Sequence, residues 1–373
     1  MRAFVFTDKA LERYAGRFVW LSVDTENSKN ADFLKKYPIN VWPTLLVVDP
    51  VKERVSLRYA GGATVGQLSK LLDQAESKTK SPADEALGRA DRLANEGKNA
   101  DAAKEYEHAL DTAPKGWRPY GRASEGLMMA LTMTQQNERC AERADELVPR
   151  LRGTLSGANV AAYGLSCAAD LPADNAKRAA LLASLENATR AALDDPKIDM
   201  SGDDRSGLYE SLLGAHKSIK DEEGAKKIAE QWAAFLEGEA AKAKTPEQRA
   251  VYDSHRLGAY MELGTVEKAV PMLQQSERDL PRDYNPPARL GTAYRMLKKY
   301  DESLAAYDRA LKLVYGPRKL GVLRGRADTL LAMGDKEAAK QTLRDAIAYA
   351  KSLPSGQVSE KTIGALEKKL ETM

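Results

Sequence analysis

Apolar and polar positions follow two different rhythms along the chain, and the change falls near residue 80. Before it, apolar residues come in short runs. "FVWLSV" (18–23) is near-continuous and closed by Asp24, "TLLVVD" (44–49) is a second such run, and "RVSLRYA" (54–60) sets Val55, Leu57 and Tyr59 against Arg54, Ser56 and Arg58. Continuous runs of this length predict strands covered on both faces; period two predicts a half-covered strand at a sheet edge. The tight polar "PVKE" between the last two predicts an antiparallel hairpin. "NADFLKKY" reads as a short helix with Ala31, Leu34 and Tyr37 on one side, stopped at Pro38 because proline lacks the next helical donor. After Gly61 and Gly62, Thr64 and Gln67 stand at capping-box spacing ahead of Leu68, Leu71 and Leu72, which predicts a closing amphipathic helix.

"SKTKSPAD" (77–84) is a polar linker in which Ser81-Pro82 has the order favoured at a helix start. Beyond it no strand pattern occurs, and helices are punctuated at a period of about 34 residues. Small residues, large residues and turn glycines recur at matching offsets: Ala90, Gly97, Tyr106 and Pro114; Tyr260, Gly264, Leu273 and Pro281; Gly291, Tyr300 and Tyr307; Ala327, Gly334 and Leu343. Residues 120–153, 156–193 and 206–239 are weaker copies, with Ala130, Gly164 and Gly214 as the expected close-contact positions. The whole comes to about seven helix pairs. "LDDPKIDMSGDDRSG" (193–207) interrupts the phase as a loop or sub-domain break, and "SEKTIGALEKKLETM" reads as a terminal cap helix.

Composition narrows the function classes. With 57 Lys+Arg against 54 Asp+Glu and a net charge of +3, no single-sign field marks a nucleic-acid or membrane-surface protein. No apolar run approaches the ~18 residues of a membrane span. The chain of 373 residues, poor in Phe and Trp and rich in Ala, fits a repeat array that grows by adding closely packed helix pairs.

The repeat resembles the tetratricopeptide family, in which small residues sit where two helices cross and proline follows the second helix. The resemblance implies a protein or peptide partner on the helical repeats. The Lys and Asn pattern by which some members grip acidic tails is absent: the equivalent positions hold Leu87 and Asp91, Ala288 and Thr292, Arg324 and Asp328. Tyr260, Tyr294 and Tyr307 could face a partner or, as tyrosine at these offsets more often does, pack between helices.

Residues 1–76 resemble the thioredoxin family through "FVFTD", "FVWLSVDTE", the helix ending at Pro38, "VWPT", the hairpin and "GGATVGQLSKLL". In that family the proline of V-x-P-T is cis and lies beside the redox disulfide. The resemblance therefore implies a substrate-binding role for Trp42, Pro43 and Thr44, with the Trp42 main chain offered to an extended segment. The family's chemistry needs C-x-x-C at a helix N-terminus, where the thiolate is stabilised, and this chain has none. Met1 stands where residues just after that motif are expected, so the expectation is that the first strands and C-x-x-C lie upstream. If a leader precedes them, the compartment is bacterial periplasmic or otherwise extracytoplasmic.

The two cysteines, Cys140 and Cys167, fall at helix ends that an antiparallel stack brings together, so a disulfide is geometrically allowed; two buried free thiols are the alternative. His108, His216 and His255 lie in different repeats without acidic or Cys partners at ligand spacing, so no metal and no cofactor is expected. No Ser/His/Asp order, phosphate loop or paired-carboxylate motif occurs.

The expected architecture is an α/β thioredoxin-like domain, incomplete, over 1–76, a linker at 77–84, an all-α tetratricopeptide solenoid over 85–353 and a cap helix over 354–373. The function that follows is thiol-disulfide exchange on a recruited protein when the N-terminus is complete, with no redox activity from the residues present. A non-catalytic interaction scaffold is the alternative.

Overall fold

Strands Thr44–Asp49 and Arg54–Ala60 pair antiparallel, from Thr44 opposite Ala60 to Asp49 opposite Arg54. The register slips between Val47 and Val48, where Ser56 is the extra residue and its Oγ donates to the Val47 carbonyl at 3.0 Å. Such a bulge bends the strand and sharpens its twist. Leu57 and Tyr59 point into a cluster with Leu68, Leu71 and Leu72 of helix Val65–Glu76 and with Val5 and Tyr14 from the chain's start. The helix begins where Thr64 and Gln67 form the capping box read from the sequence. Tyr14 is buried in a short 3-10 helix, Lys9–Tyr14, and its hydroxyl donates to the Ser69 carbonyl and the Asp73 carboxylate.

The structure, a computed structural model, describes residues 1, 4–39, 41–77 and 81–373. The linker expected at 77–84 falls partly on 78–80, outside the described residues. The chain divides into two units, Met1–Phe18 with Ile39–Trp232, and Val19–Pro38 with Ala233–Met373.

In the first unit the hairpin is followed by helix pairs Pro82–Asn95 with Asn99–Asp111, Tyr120–Met133 with Asn137–Leu151, and Leu155–Ala169 with Arg178–Asp194. Gly202–Ser218 follows, with the start of Glu222–Lys242. Ser81 caps the first of these with Asp84 closing the box, Pro82 standing at its opening position. The outer edge of the second strand is closed by side chains rather than by a third strand. Asp91 accepts the Arg58 N–H at 3.1 Å, and Arg122 donates to the Arg58 carbonyl at 3.1 Å. An edge strand otherwise offers unpaired backbone groups, so the helices here supply both missing partners.

In the second unit the pairs are Asp253–Glu262 with Ala269–Asp279, Asn285–Met296 with Tyr300–Leu311, and Arg318–Met333 with Lys336–Ser352, followed by Glu360–Glu371. Tyr307 fills the close crossing in the middle: a Cβ on Gly291 or Gly325 would lie 2.8 or 2.5 Å from its side chain. Val19–Pro38 belongs to this unit. Glu26 accepts from the Arg318 N–H and Nε at 3.0 and 3.1 Å, at the start of a helix where a carboxylate complements the exposed donors.

Four expectations are revised. Residues 18–23 are not a strand: Val19 and Leu21 are 88% and 77% exposed, and among the described residues the sheet has two strands. An apolar run becomes a strand only if a ladder partner exists, and Asp24 and Glu26 commit the adjoining segment to the second unit. Residues 44–49 are half-buried throughout rather than covered on both faces. The α/β domain expected over 1–76 is therefore, among the described residues, a hairpin with one packed helix. Gly214 is not a close-contact position: open space surrounds where its Cβ would be, whereas a Cβ on Gly164 would lie 2.2 Å from that of Ala144.

Candidate functional site

The first unit has an open-sided cavity of about 400 Å³ between the end of the second strand, the first helix pair and three further helices, Tyr120–Met133, Leu155–Ala169 and Gly202–Ser218. Tyr59 reaches it from the end of the strand, on the same side as Leu57 two residues earlier, beyond the bulge at Ser56. Gly61 and Gly62 form the rim, and the Gly61 N–H donates to the Pro43 carbonyl at 2.8 Å. Met129, Met133, Ala130 and Leu208 give apolar lining, and Glu125, on the same helical stripe as the two methionines, gives polar lining with Asn159 and Tyr163.

Charge is unevenly shared around this space. Its lining carries Arg58 and Arg122 against Glu125, Asp203, Asp204 and Glu210. Arg122 is already committed, donating to Asp91 Oδ2 at 2.7 Å and to Gln74 at 3.2 Å. The Asp91 carboxylate, fully buried, also accepts from the Tyr106 hydroxyl at 3.0 Å.

Glu125 is the chemically unusual member. Burial raises its carboxyl pKa, against the opposing pull of hydrogen bonds from Ser156, Asn159 and Tyr59, and nearby Asp204 raises it further. Its Oε1 atom is buried without a hydrogen-bond partner. Burial, then Glu125 and Asp204, push the Tyr59 hydroxyl well above its ordinary range; burial and Glu125 push Tyr163 up to about 12. Asp204 is raised as well, by burial first, although its Oδ2 accepts from the Ser201 N–H and hydroxyl as the closing member of a capping box. Two carboxyls and two phenols thus share a partly buried space, each making the others harder to ionise.

The residues expected to bind substrate lie nearby in sequence but outside this lining. Trp42 is 54% exposed and joined to Pro43 by a cis peptide bond, and the Thr44 hydroxyl donates to the Val41 carbonyl at 2.7 Å. Cys140 and Cys167 are joined to each other in the structure, Cα to Cα 6.0 Å, both buried, with the Thr132 hydroxyl beside the two sulfurs. The histidine reading is corrected at one position: His216 has acidic partners, Asp221 Oδ2 at 2.7 Å from Nδ1 and Glu186 Oε1 at 3.2 Å from Nε2. Folding brings Glu186 over from the preceding helix, which no linear spacing reveals. Among the described residues no His, Cys, Asp and Glu group is arranged to hold a metal ion. Tyr260 and Tyr307 are buried, and Tyr260 donates to Glu237 at 2.6 Å, so these two rings pack between helices.

Glu125, Asp91 and Arg122 were not singled out from the sequence as site residues. A usable signal existed in Asp91, a carboxylate on the same helical stripe as Leu87, Ala90 and Ala94, which all are buried. A charge on an apolar stripe needs a partner from elsewhere.

The tetratricopeptide repeat family profile matches residues 284–352, the two helix pairs around Tyr307 and Leu343. The chain therefore carries tetratricopeptide repeats. No curated protein matches it. Among solved structures, a tetratricopeptide repeat protein from Parabacteroides merdae is similar over 78% of this chain and 99% of its own, at 11% identity and a TM-score of 0.46. A thermophilic protein of the same kind from Thermus thermophilus is similar over 78% and 100%, at 15% identity and 0.27. The TPR2AB domain of yeast Sti1, in its pHSP90 complex, is similar over 78% and 98%, at 15% identity and 0.29. Among the described residues no helix is long and apolar enough to cross a membrane.

Proposed function

We propose that this protein is an interaction scaffold whose helical repeats hold a protein or peptide partner. The observation that carries the reading is a groove of about 1380 Å³ in the first unit, between the hairpin with its packed helix and the starts of helices Pro82–Asn95, Tyr120–Met133 and Leu155–Ala169. It exceeds the ~300–1,000 Å³ usual for small-molecule sites and suits an extended segment of chain. A repeat array supports this use because its stability comes from neighbouring helix pairs, leaving one long face for recognition.

The finer reading, thiol-disulfide exchange on the bound partner in a thioredoxin-like manner, rests on the sequence pieces around Trp42, Pro43 and Thr44. It needs a C-x-x-C that the residues present do not contain. An insulin-reduction assay on the protein isolated from its own cells tests it, with turnover of insulin disulfides as the supporting result.

The scaffold reading is tested by selecting a phage-displayed peptide library on the immobilised full chain and mapping selected peptides by hydrogen exchange. Protection concentrated at residues 116–122 and 150–156, which line the groove, is expected. Failure to enrich any peptide, or protection outside the repeats, overturns it.

A further inference from the structure

We infer that the 400 Å³ cavity beside Glu125 is a receptacle for one basic side chain, arginine or lysine, of the bound partner. This deepens the scaffold reading and rests on it. The argument starts from an imbalance. The Glu125 carboxyl takes hydrogen bonds from Ser156, Asn159 and Tyr59, yet its Oε1 is buried without a partner, and a buried acceptor atom left unmet is costly until a further donor or a cation arrives. Around the same space Asp203, Asp204 and Glu210 add acidic groups. Of the two arginines there, Arg122 is spent on Asp91, Gln74 and the Arg58 carbonyl.

The shape suits a long cationic side chain better than a free ion. Met129, Met133, Ala130 and Leu208 offer apolar contact to a methylene stem, and Tyr59 and Tyr163 line the same space as aromatic neighbours for its charged head. Gly61 and Gly62 at the rim leave room for a main chain to approach. An acidic side chain would meet four acidic groups against two arginines, one of them already paired with Asp91, and is disfavoured.

The test reads the site directly. In the full chain labelled at its methionine methyl groups with ¹³C, the Met129 and Met133 signals are followed while N-acetyl-arginine amide is added, with N-acetyl-citrulline amide as the neutral isostere and N-acetyl-glutamate amide as the acidic probe. Saturable shifts at both methionines with the arginine probe are expected, absent with the other two, and about tenfold weaker binding in Glu125→Gln. Because Glu125→Gln alters a buried wall, a second variant is used. Gly207→Leu places a side chain into the cavity from a helix position where a Cβ meets nothing within 4 Å, and leucine adds helix propensity. It should abolish the shifts in a folded chain. Equal response to citrulline, a stronger response to the acidic probe, or unchanged arginine binding in Gly207→Leu overturns the inference. Peptides that still bind the repeats in both variants would leave the scaffold reading standing while this one falls; a library with no binders would remove the scaffold reading while the methionine shifts still decide the cavity.

Discussion

Asp91 and Arg122, 2.7 Å apart and almost wholly buried on neighbouring helices, hold opposite ends of one residue: Asp91 takes the N–H of Arg58 and Arg122 supplies a donor to its carbonyl. The ion pair thereby closes the strand's outer edge at Arg58. That arrangement makes the hairpin depend on the first two helix pairs, and it fixes where Tyr59, next in the strand, enters the cavity.

Breaking this pair from one side leaves a buried charge and an unpaired strand edge. Arg122→Ala and Asp91→Ala are each expected to cost about 3–5 kcal/mol. In a double-mutant cycle with Arg122→Met and Asp91→Asn, the second change should cost less than it does alone, with a coupling of about 0.5–3 kcal/mol. Urea denaturation of the four proteins measures it; strict additivity would show that the pair is not coupled.

Glu125 should give stability a definite slope with pH. Its folded pKa is raised by burial, so the folded chain holds the proton more tightly than the unfolded chain. Its contribution is therefore most favourable below the ordinary carboxylate range and is lost as pH rises through the raised value. Glu125→Gln cannot lose that proton. The variant should gain on the parent as pH increases from about 4 to 8, and the two should converge in acid. Comparison of the pair cancels Asp253, which is the same in both; Asp204, coupled to Glu125, becomes easier to ionise in the variant and adds to the same trend. A pH-independent difference would show that Glu125 ionises normally.

The sequence was most informative where a structure is decided locally. Thr64 with Gln67 and Ser81 with Pro82 are relations within one turn, and the hairpin follows from two runs separated by four residues, so each was legible from spacing. The run at 18–23 misled because hydrophobicity states that a segment prefers cover, not which partner exists to cover it. Asp91, Arg122 and Arg58 meet across 31 to 64 residues, and His216 meets Glu186 across 30, distances over which no periodicity carries information. The Tyr307 crossing was legible because the repeat itself encodes it: Gly291 and Tyr307 occupy recurrent offsets.

Two kinds of glycine make opposite predictions. Gly291→Ala would push a methyl to 2.8 Å from the Tyr307 ring, and overpacking of this kind costs about 1–3 kcal/mol. Gly207→Ala and Gly214→Ala, inside helix Gly202–Ser218 with open space at the Cβ, should stabilise by about 0.4–1 kcal/mol each. Thermal melts of the three variants separate the cases, and a destabilised Gly214→Ala would restore it as a close-contact position.

The bonded cysteines predict a redox-dependent stability without any catalytic role. A cross-link spanning 27 residues is expected to contribute about 3.5 kcal/mol on the chain-entropy account. Native chain denatured without reductant should be two hydrogens lighter than reduced chain by mass and should carry no free thiol. Reduction should then lower the urea midpoint. Two titratable thiols per denatured, unreduced chain would show that Cys140 and Cys167 are free in the protein as isolated.

Glu26 decides how the segment Val19–Pro38 is held within its own unit. Its carboxylate meets both the N–H and the guanidinium of Arg318 at a helix start, and beside it the Tyr315 hydroxyl donates to Asp24 at 2.5 Å. Gly316 completes the contact: with φ at +61° and a would-be Cβ 2.3 Å from the Glu26 carbonyl oxygen, no larger residue fits there. Since Val19 and Leu21 gain little burial of their own, these polar contacts carry much of the segment's attachment. Glu26→Ala should cost about 1 kcal/mol, the scale of a carboxylate at a helix N-terminus, and should speed hydrogen exchange across residues 24–34 while leaving the hairpin at 44–60 unchanged. Gly316→Ala should do the same through strain and contact rather than charge. If exchange in 24–34 is unaltered in both, the segment is held by its 3-10 turn and the helix Ala31–Lys36 with buried Leu34 instead, and the exposed run before it has to be explained without Glu26.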